Sequence, residues 1–210
     1  LTDEEVDQVC ESIRKIKEET NIEVCFSFGL LKEEQLRKVR EAGATRAHCN
    51  LETSRRFFPE ICTTHTYDQK IETLKAAVAA GLSICSGGIM GLGETLEDRV
   101  DMVFTVKELG VKSVPVNFLN PIPGTPYADN KPLTDEEARQ CVAVFRFIIP
   151  DASIRLAGGR GLLDDKGREC FQSGANAAIS GDMLTTAGIT VQKDMEMLKD
   201  LGYKPQLWED

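Results

Sequence analysis

Apolar positions along this chain recur at two different spacings. In some stretches they fall three and four residues apart, as on one face of a helix: Ile71, Leu74 and Val78 form one such set, and Val103, Val106 and Leu109 another. Four of the helical stretches end in glycine, and a short apolar run follows at once. Helix 32–42 ends at Gly43 before residues 44–50, and helix 67–80 at Gly81 before 82–85. Helix 96–109 ends at Gly110 before 111–117, and helix 166–173 at Gly174 before 175–180. Glycine suits the position just past a helix because the left-handed conformation common there is strained for a residue with a Cβ. Helix starts are marked as well. Thr2-Asp3-Glu4-Glu5 and Thr134-Asp135-Glu136-Glu137 are capping boxes, and Thr95-Leu96-Glu97-Asp98 is a weaker relative.

The apolar runs predict six strands, near 22–27, 45–50, 82–87, 112–119, 153–157 and 176–180, each following a helix. Strands alternating with helices pair in parallel through right-handed crossovers. A doubly wound sheet would need a Gly-rich phosphate loop after its first strand, and Cys25-Phe26-Ser27-Phe28-Gly29-Leu30 makes a poor one. A complete (β/α) barrel has eight strands and typically about 250 residues. The expected fold class is therefore α/β, a TIM-type (β/α) barrel, incomplete in this chain at about six of eight βα units. The expected organisation is a single domain over residues 1–210, with 182–210 a C-terminal extension closing the barrel end. The chain opens on a helix, as if cut just after a strand.

Composition narrows the function. The 210 residues are 41% hydrophobic and 28% charged, the balance of a globular protein, and the net charge of −9 argues against a basic nucleic-acid-binding face. No apolar run approaches the ~20 residues of a membrane span. The acidic opening Leu1-Thr2-Asp3-Glu4-Glu5-Val6 is no signal peptide. The seven cysteines are odd in number and widely spaced, with no C-x-x-C pair, which points to a reducing, cytoplasmic setting rather than a disulfide framework. Cys10, Cys141 and Cys170 lie within helical patterns and read as packing residues.

The candidate chemistry lies in the strands. Residues two apart share a face, so His48, Asn50 and Glu52 line up together. Cys25, Cys85, Asn117 and Arg155 stand among apolar neighbours on other strands, and a buried arginine needs a partner. Barrel enzymes assemble their sites in this way, from the C-terminal ends of several strands. Two glycine-rich loops follow strands. Ser86-Gly87-Gly88-Ile89-Met90-Gly91-Leu92-Gly93-Glu94-Thr95 opens a helix, and Ala157-Gly158-Gly159-Arg160-Gly161 is a candidate anion nest. The nest by itself would suit a barrel enzyme acting on a phosphorylated metabolite.

A set of strings resembles the biotin synthases, a family of radical S-adenosylmethionine (SAM) enzymes. They are Val24-Cys25 through Gly29, His48-Cys49-Asn50-Leu51-Glu52-Thr53-Ser54, Thr63-Thr64-His65-Thr66-Tyr67 and Ile84-Cys85-Ser86-Gly87-Gly88. Gly91-Leu92-Gly93-Glu94-Thr95, Val114-Pro115-Val116-Asn117, Pro123-Gly124-Thr125-Pro126, Ile154-Arg155-Leu156 and Leu184-Thr185-Thr186 continue the series in family order. The resemblance implies sulfur insertion into dethiobiotin to give biotin. In that family a 4Fe–4S cluster reductively cleaves SAM, the 5′-deoxyadenosyl radical takes hydrogen from substrate, and an auxiliary iron–sulfur cluster (2Fe–2S or a variant) gives up sulfur. By motif, Cys25, Cys85 and Arg155 match auxiliary-cluster ligands. Asn50, Glu52, Gly87, Gly88, Gly91 and Glu94 match the SAM site. His48, Asn50, Asn117, Thr185 and Thr186 match substrate-binding positions, the threonines at the substrate carboxylate. The family also implies an electron donor such as flavodoxin or ferredoxin, and a homodimer.

Three departures stand out. The C-x-x-x-C-x-x-C motif for the SAM-cleaving cluster is absent, along with the strand carrying a further auxiliary-cluster cysteine. The chain is thus expected to lack the first two barrel units and to be inactive alone. His48 stands where many relatives carry Asn. Cys49 and Cys62 are additional thiols, the latter in a loop where it could react. The alternatives are another radical-SAM barrel enzyme, maturase or mutase-like, and a non-catalytic partial barrel with two unpaired sheet edges.

Overall fold

A computed structural model describes residues 1–182 and 188–206 of the chain. The helices begin where the sequence places a threonine cap: α1 (Asp3–Glu19) after Thr2, α4 (Tyr67–Ala79) after Thr66, α5 (Leu96–Glu108) after Thr95 and α6 (Asp135–Ile148) after Thr134. In each, the threonine hydroxyl accepts from the amide three residues on, while that residue's side chain accepts from the threonine amide. The remaining helices are α2 (Glu33–Glu41), the short α3 (Phe58–Ile61), α7 (Arg168–Gln172) and α8 (Val191–Asp200).

The strands are β1 (Val24–Phe26), β2 (Ala44–His48), β3 (Ser83–Cys85), β4 (Gly88–Met90), β5 (Ser113–Phe118), β6 (Ser153–Leu156) and β7 (Ala177–Ala178). Every pairing is parallel, in the order β1-β2-β3-β5-β6-β7, with β4 also on β5. The sheet is the curled wall of an incomplete (β/α) barrel, and among the described residues β1 and β7 are its two ends.

The strand expected over 82–87 is divided in two. The break at Ser86-Gly87 has a cause on the neighbouring strand. Pro115 has no N–H to give to the ladder, and its carbonyl faces Gly87 so closely that a Cβ there would come within 1.9 Å of the oxygen. Pairing therefore stops after Cys85↔Ser113 and resumes at Gly88↔Val116.

One face of the sheet is apolar. Ile84, Val114, Val116, Ile154 and Leu156 are buried in the main core cluster with helix residues such as Leu36, Leu74, Val103 and Phe145. α8 joins this body through Asp194, whose carboxylate receives both terminal nitrogens of Arg160 at 2.6 and 2.9 Å, with both residues buried. Of the extension expected over 182–210, residues 183–187 and 207–210, and so Thr185 and Thr186, lie outside the described residues.

Candidate functional site

Because side chains alternate along a strand, the face opposite the apolar one carries Cys25, Arg46, His48, Ser83, Cys85, Ser113, Asn117 and Arg155. The register sets their neighbours: Cys25 lies opposite Arg46, His48 opposite Cys85, and Cys85 opposite Ser113. Two groups meet at the Cys85 sulfur. His48 Nδ1 lies 3.2 Å from it, and Arg155 donates to it from β6 through Nη2 at 3.0 Å. The other terminal nitrogen of Arg155 donates to Ser113 Oγ at 3.2 Å, while its Nε is buried without a partner.

Cys85 is fully buried and Cys25 is reachable by solvent from the open side of the sheet. The surrounding protein pushes the Cys25 thiol up, and the neighbouring Cys85 adds to this, while Arg46 and Arg155 oppose it. Burial lowers the affinity of His48 for a proton, and the charges of Arg155 and Lys70 lower it further, so the ring is neutral near pH 7.

The second half of the site follows β2. Asn50 Oδ1 accepts from the Gly87 amide at 3.0 Å, and the Asn50 carbonyl accepts from Lys70 Nζ at 2.8 Å. Glu52 adopts φ +70°, rare for a residue with a side chain, and is held there from both sides: its amide donates to Gly87 O and its carbonyl accepts from Ile89. Its Oε2 is buried without a partner. Burial pushes the Glu52 carboxyl up, against the pull of Lys70 and a hydrogen bond from Asn50. The segment beyond is fastened by Asp98 of α5, which accepts from Ser54 at 2.5 Å, from Thr95 and from Arg56.

The glycine loop is held by close approach. Gly88 has no room for a Cβ against the Glu52 carbonyl, 2.3 Å away, and the Gly91 amide donates to Glu94 Oε1 at 2.8 Å. That carboxylate also receives Arg99 Nε at 2.7 Å, and Arg99 reaches Cys141 Sγ at 3.2 Å. Asn117 spans two loops, donating to Gly88 O at 3.1 Å and accepting from Gly158 N at 2.9 Å. The candidate anion nest is thereby engaged within the protein: one amide serves Asn117, Gly159 packs against Phe118 O, and Arg160 is paired with Asp194.

The structure thus brings Cys25, His48, Cys85 and Arg155 together, and joins Asn50, Glu52, Gly87 and Gly88 in a second group beside them. Cys49 points into the core instead, and Cys62 sits in the α3–α4 loop with its sulfur 3.5 Å from both Thr64 Oγ1 and His65 Nδ1. Sequence reasoning missed Arg46, Ser83 and Ser113, although period-two alternation from Cys25 and Cys85 through the register would have found them. It also missed Lys70, which no strand pattern reveals because it comes from a helix.

An iron–sulfur group needs sulfur donors and compensating positive charge, and Cys25 and Cys85 flanked by Arg46 and Arg155 supply both. The partnerless Arg155 Nε and Glu52 Oε2 are polar atoms that a bound group would satisfy. Among the described residues no group of three His, Cys, Asp or Glu side chains is placed to hold a metal ion.

A parallel barrel wall with thiols and cations on its inner face defines a (β/α)-barrel enzyme scaffold. Residues 2–106 match the radical SAM superfamily, and residues 115–204 match the biotin and thiamin synthesis associated domain. The chain belongs to the radical SAM superfamily. It is 58% identical over 207 residues, 99% of this chain, to a biotin synthase of Akkermansia muciniphila, and 59% identical over 97% of this chain to biotin synthase 2 of Corynebacterium diphtheriae. It spans 64% and 62% of the length of those relatives. Among solved structures it resembles methylornithine synthase, with a TM-score of 0.81 and 20% identity over 97% of this chain and 65% of that one. It also resembles the FeFe-hydrogenase maturase HydG from Carboxydothermus hydrogenoformans, with a TM-score of 0.79 and 17% identity over 99% of this chain and 53% of that one. At these identities the two structures speak for the fold alone.

Proposed function

We propose that this chain carries the sulfur-donor and substrate side of a biotin synthase, which inserts sulfur into dethiobiotin to form biotin. The observation that carries the reading is the convergence of Arg155 and His48 on Cys85, with Cys25 on the same face. When bound, the auxiliary iron–sulfur cluster supplies the sulfur atom, and SAM supplies the radical that opens the substrate C–H bonds. Cys25 and Cys85 hold the cluster through their sulfurs, and Arg155 holds it through its guanidinium. Glu52 presents its unpartnered carboxylate oxygen to the SAM ribose, whose two hydroxyls donate to it. Asn50, spent on Gly87, fixes the glycine loop beside SAM, with Gly88, Gly91 and Glu94 setting its path. Asn117 offers its amide edge to the ureido ring, and Thr185 and Thr186 bind the carboxylate. The full-length protein takes electrons from a flavodoxin or ferredoxin, works as a homodimer, and resides in the reducing cytoplasm. Its seven free cysteines support that last point.

The test uses the full-length protein, reconstituted anaerobically with iron and sulfide and given SAM, a reductant and dethiobiotin. Biotin forms, and Cys25→Ala and Cys85→Ala each abolish it while SAM cleavage persists. SAM cleavage without biotin in the wild-type protein would sink the reading. The 210-residue chain alone cleaves no SAM.

A further inference from the structure

The contact between His48 and Cys85 is built by the backbone. The β2–β3 ladder sets the two residues directly opposite each other, and Cys49 N donates to Cys85 O at 3.0 Å at the same rung. His48 comes from one side of the buried sulfur and Arg155 from the other, with Nδ1 at 3.2 Å and Nη2 at 3.0 Å. A neutral imidazole carries one N–H, and with the proton on Nδ1 this contact is an N–H···S bond. Two nitrogen groups thus converge on one buried sulfur.

We propose that His48 is a positioning residue of the auxiliary cluster, donating a hydrogen bond to the Cys85 sulfur rather than contacting substrate. The inference rests on the reading of Cys85 as a cluster ligand. A donor to a ligating thiolate withdraws charge from the sulfur, weakens its bond to iron and raises the reduction potential of the cluster. His48 and Arg155 act on the same sulfur, so the charge they draw off comes from Cys85. The imidazole also fixes the Cys85 side chain before any metal is bound.

The experiment compares wild type, His48→Gln, which keeps an N–H, and His48→Leu, which has none. Each is made in the full-length protein with the expected C-x-x-x-C-x-x-C cysteines replaced by alanine, so that only the auxiliary cluster is read. Midpoint potential by anaerobic redox titration and Fe–S(Cys) stretching bands by resonance Raman are measured. The Leu variant shifts to a more negative potential and higher stretching frequencies, while the Gln variant stays near wild type. Cluster loss in Leu with retention in Gln also supports the donor role. A wild-type potential and spectrum in the Leu variant overturn it. Cluster loss from both variants overturns it too, by making the imidazole a direct iron ligand. Should the Leu variant fail to fold, His48→Ala takes its place and carries the same expectations. Cys85→Ala is the control: an undisturbed auxiliary signal there refutes Cys85 as a ligand, a failure distinct from that of His48.

Discussion

Gly87 sits where two strands nearly touch, and its missing side chain is what lets them. A Cβ would lie 1.9 Å from Pro115 O and 2.9 Å from Pro115 C, both backbone atoms that cannot swing away. Gly87→Ala is therefore expected to destabilise the protein by about 3 kcal/mol, the upper range for overpacking a tight core. Chemical denaturation measures it, and a variant as stable as wild type would show that the strands can separate at little cost. This position illustrates what a sequence conveys about single residues. The reactive groups Cys25, His48, Cys85 and Arg155 were legible because each is a polar residue in an apolar run. Arg46 was not, because Thr45 and Arg46 together look like a solvent-facing strand start. Gly87 read as part of a ligand-facing glycine loop, since nothing local reports a carbonyl on a distant strand.

At the scale of elements, Thr2, Thr95 and Thr134 made three helix starts legible, and Gly43, Gly81, Gly110 and Gly174 four helix ends. The division of the third strand into β3 and β4 was hidden, because its cause, Pro115, lies about 30 residues further on. α8 was hidden for a similar reason: the Arg160 that pairs with its Asp194 lies far back in the chain, and Met197, Leu198 and Leu201 show only in the fold that they pack against the core. Asp194 also caps no neighbour in sequence that would advertise it. Breaking a buried, bidentate ion pair strands the surviving charge, which typically costs about 3–5 kcal/mol. Asp194→Ala is expected to lose stability in that range. The double variant Arg160→Met with Asp194→Leu should recover much of the loss, because no charge is then left buried. Urea unfolding of the single and double variants distinguishes the two cases, and equal losses would mean that the charge itself is not the issue.

At the scale of the molecule, Asp98 is a buried carboxylate that folding holds against acid. Burial alone would raise its pKa, but hydrogen bonds from Ser54, Thr95 and Arg56 outweigh burial and hold it at about 2. A carboxylate depressed on folding stabilises above its unfolded pKa near 4 and loses that contribution as pH falls toward 2. A shift of this size corresponds to about 2 kcal/mol. The melting temperature of wild type should therefore fall between pH 4 and pH 2 more steeply than that of Asp98→Asn, and parallel slopes would refute the assignment. The barrel architecture itself was legible from the alternation of helix, glycine and strand. Its incompleteness was legible too, from the count of about six βα units, and among the described residues the sheet ends at β1 and β7.

The distribution of charge between the two faces of the wall has a kinetic consequence. The chain carries −9 overall, yet its inner face presents Arg46 and Arg155. Beyond roughly one Debye length, about 8 Å in physiological salt, an approaching anion senses little of either. Nearer in, the acidic exterior turns it away, while the mouth of the wall draws it forward. A negatively charged molecule thus arrives slowly and leaves slowly, and added salt quickens its arrival while shortening its stay.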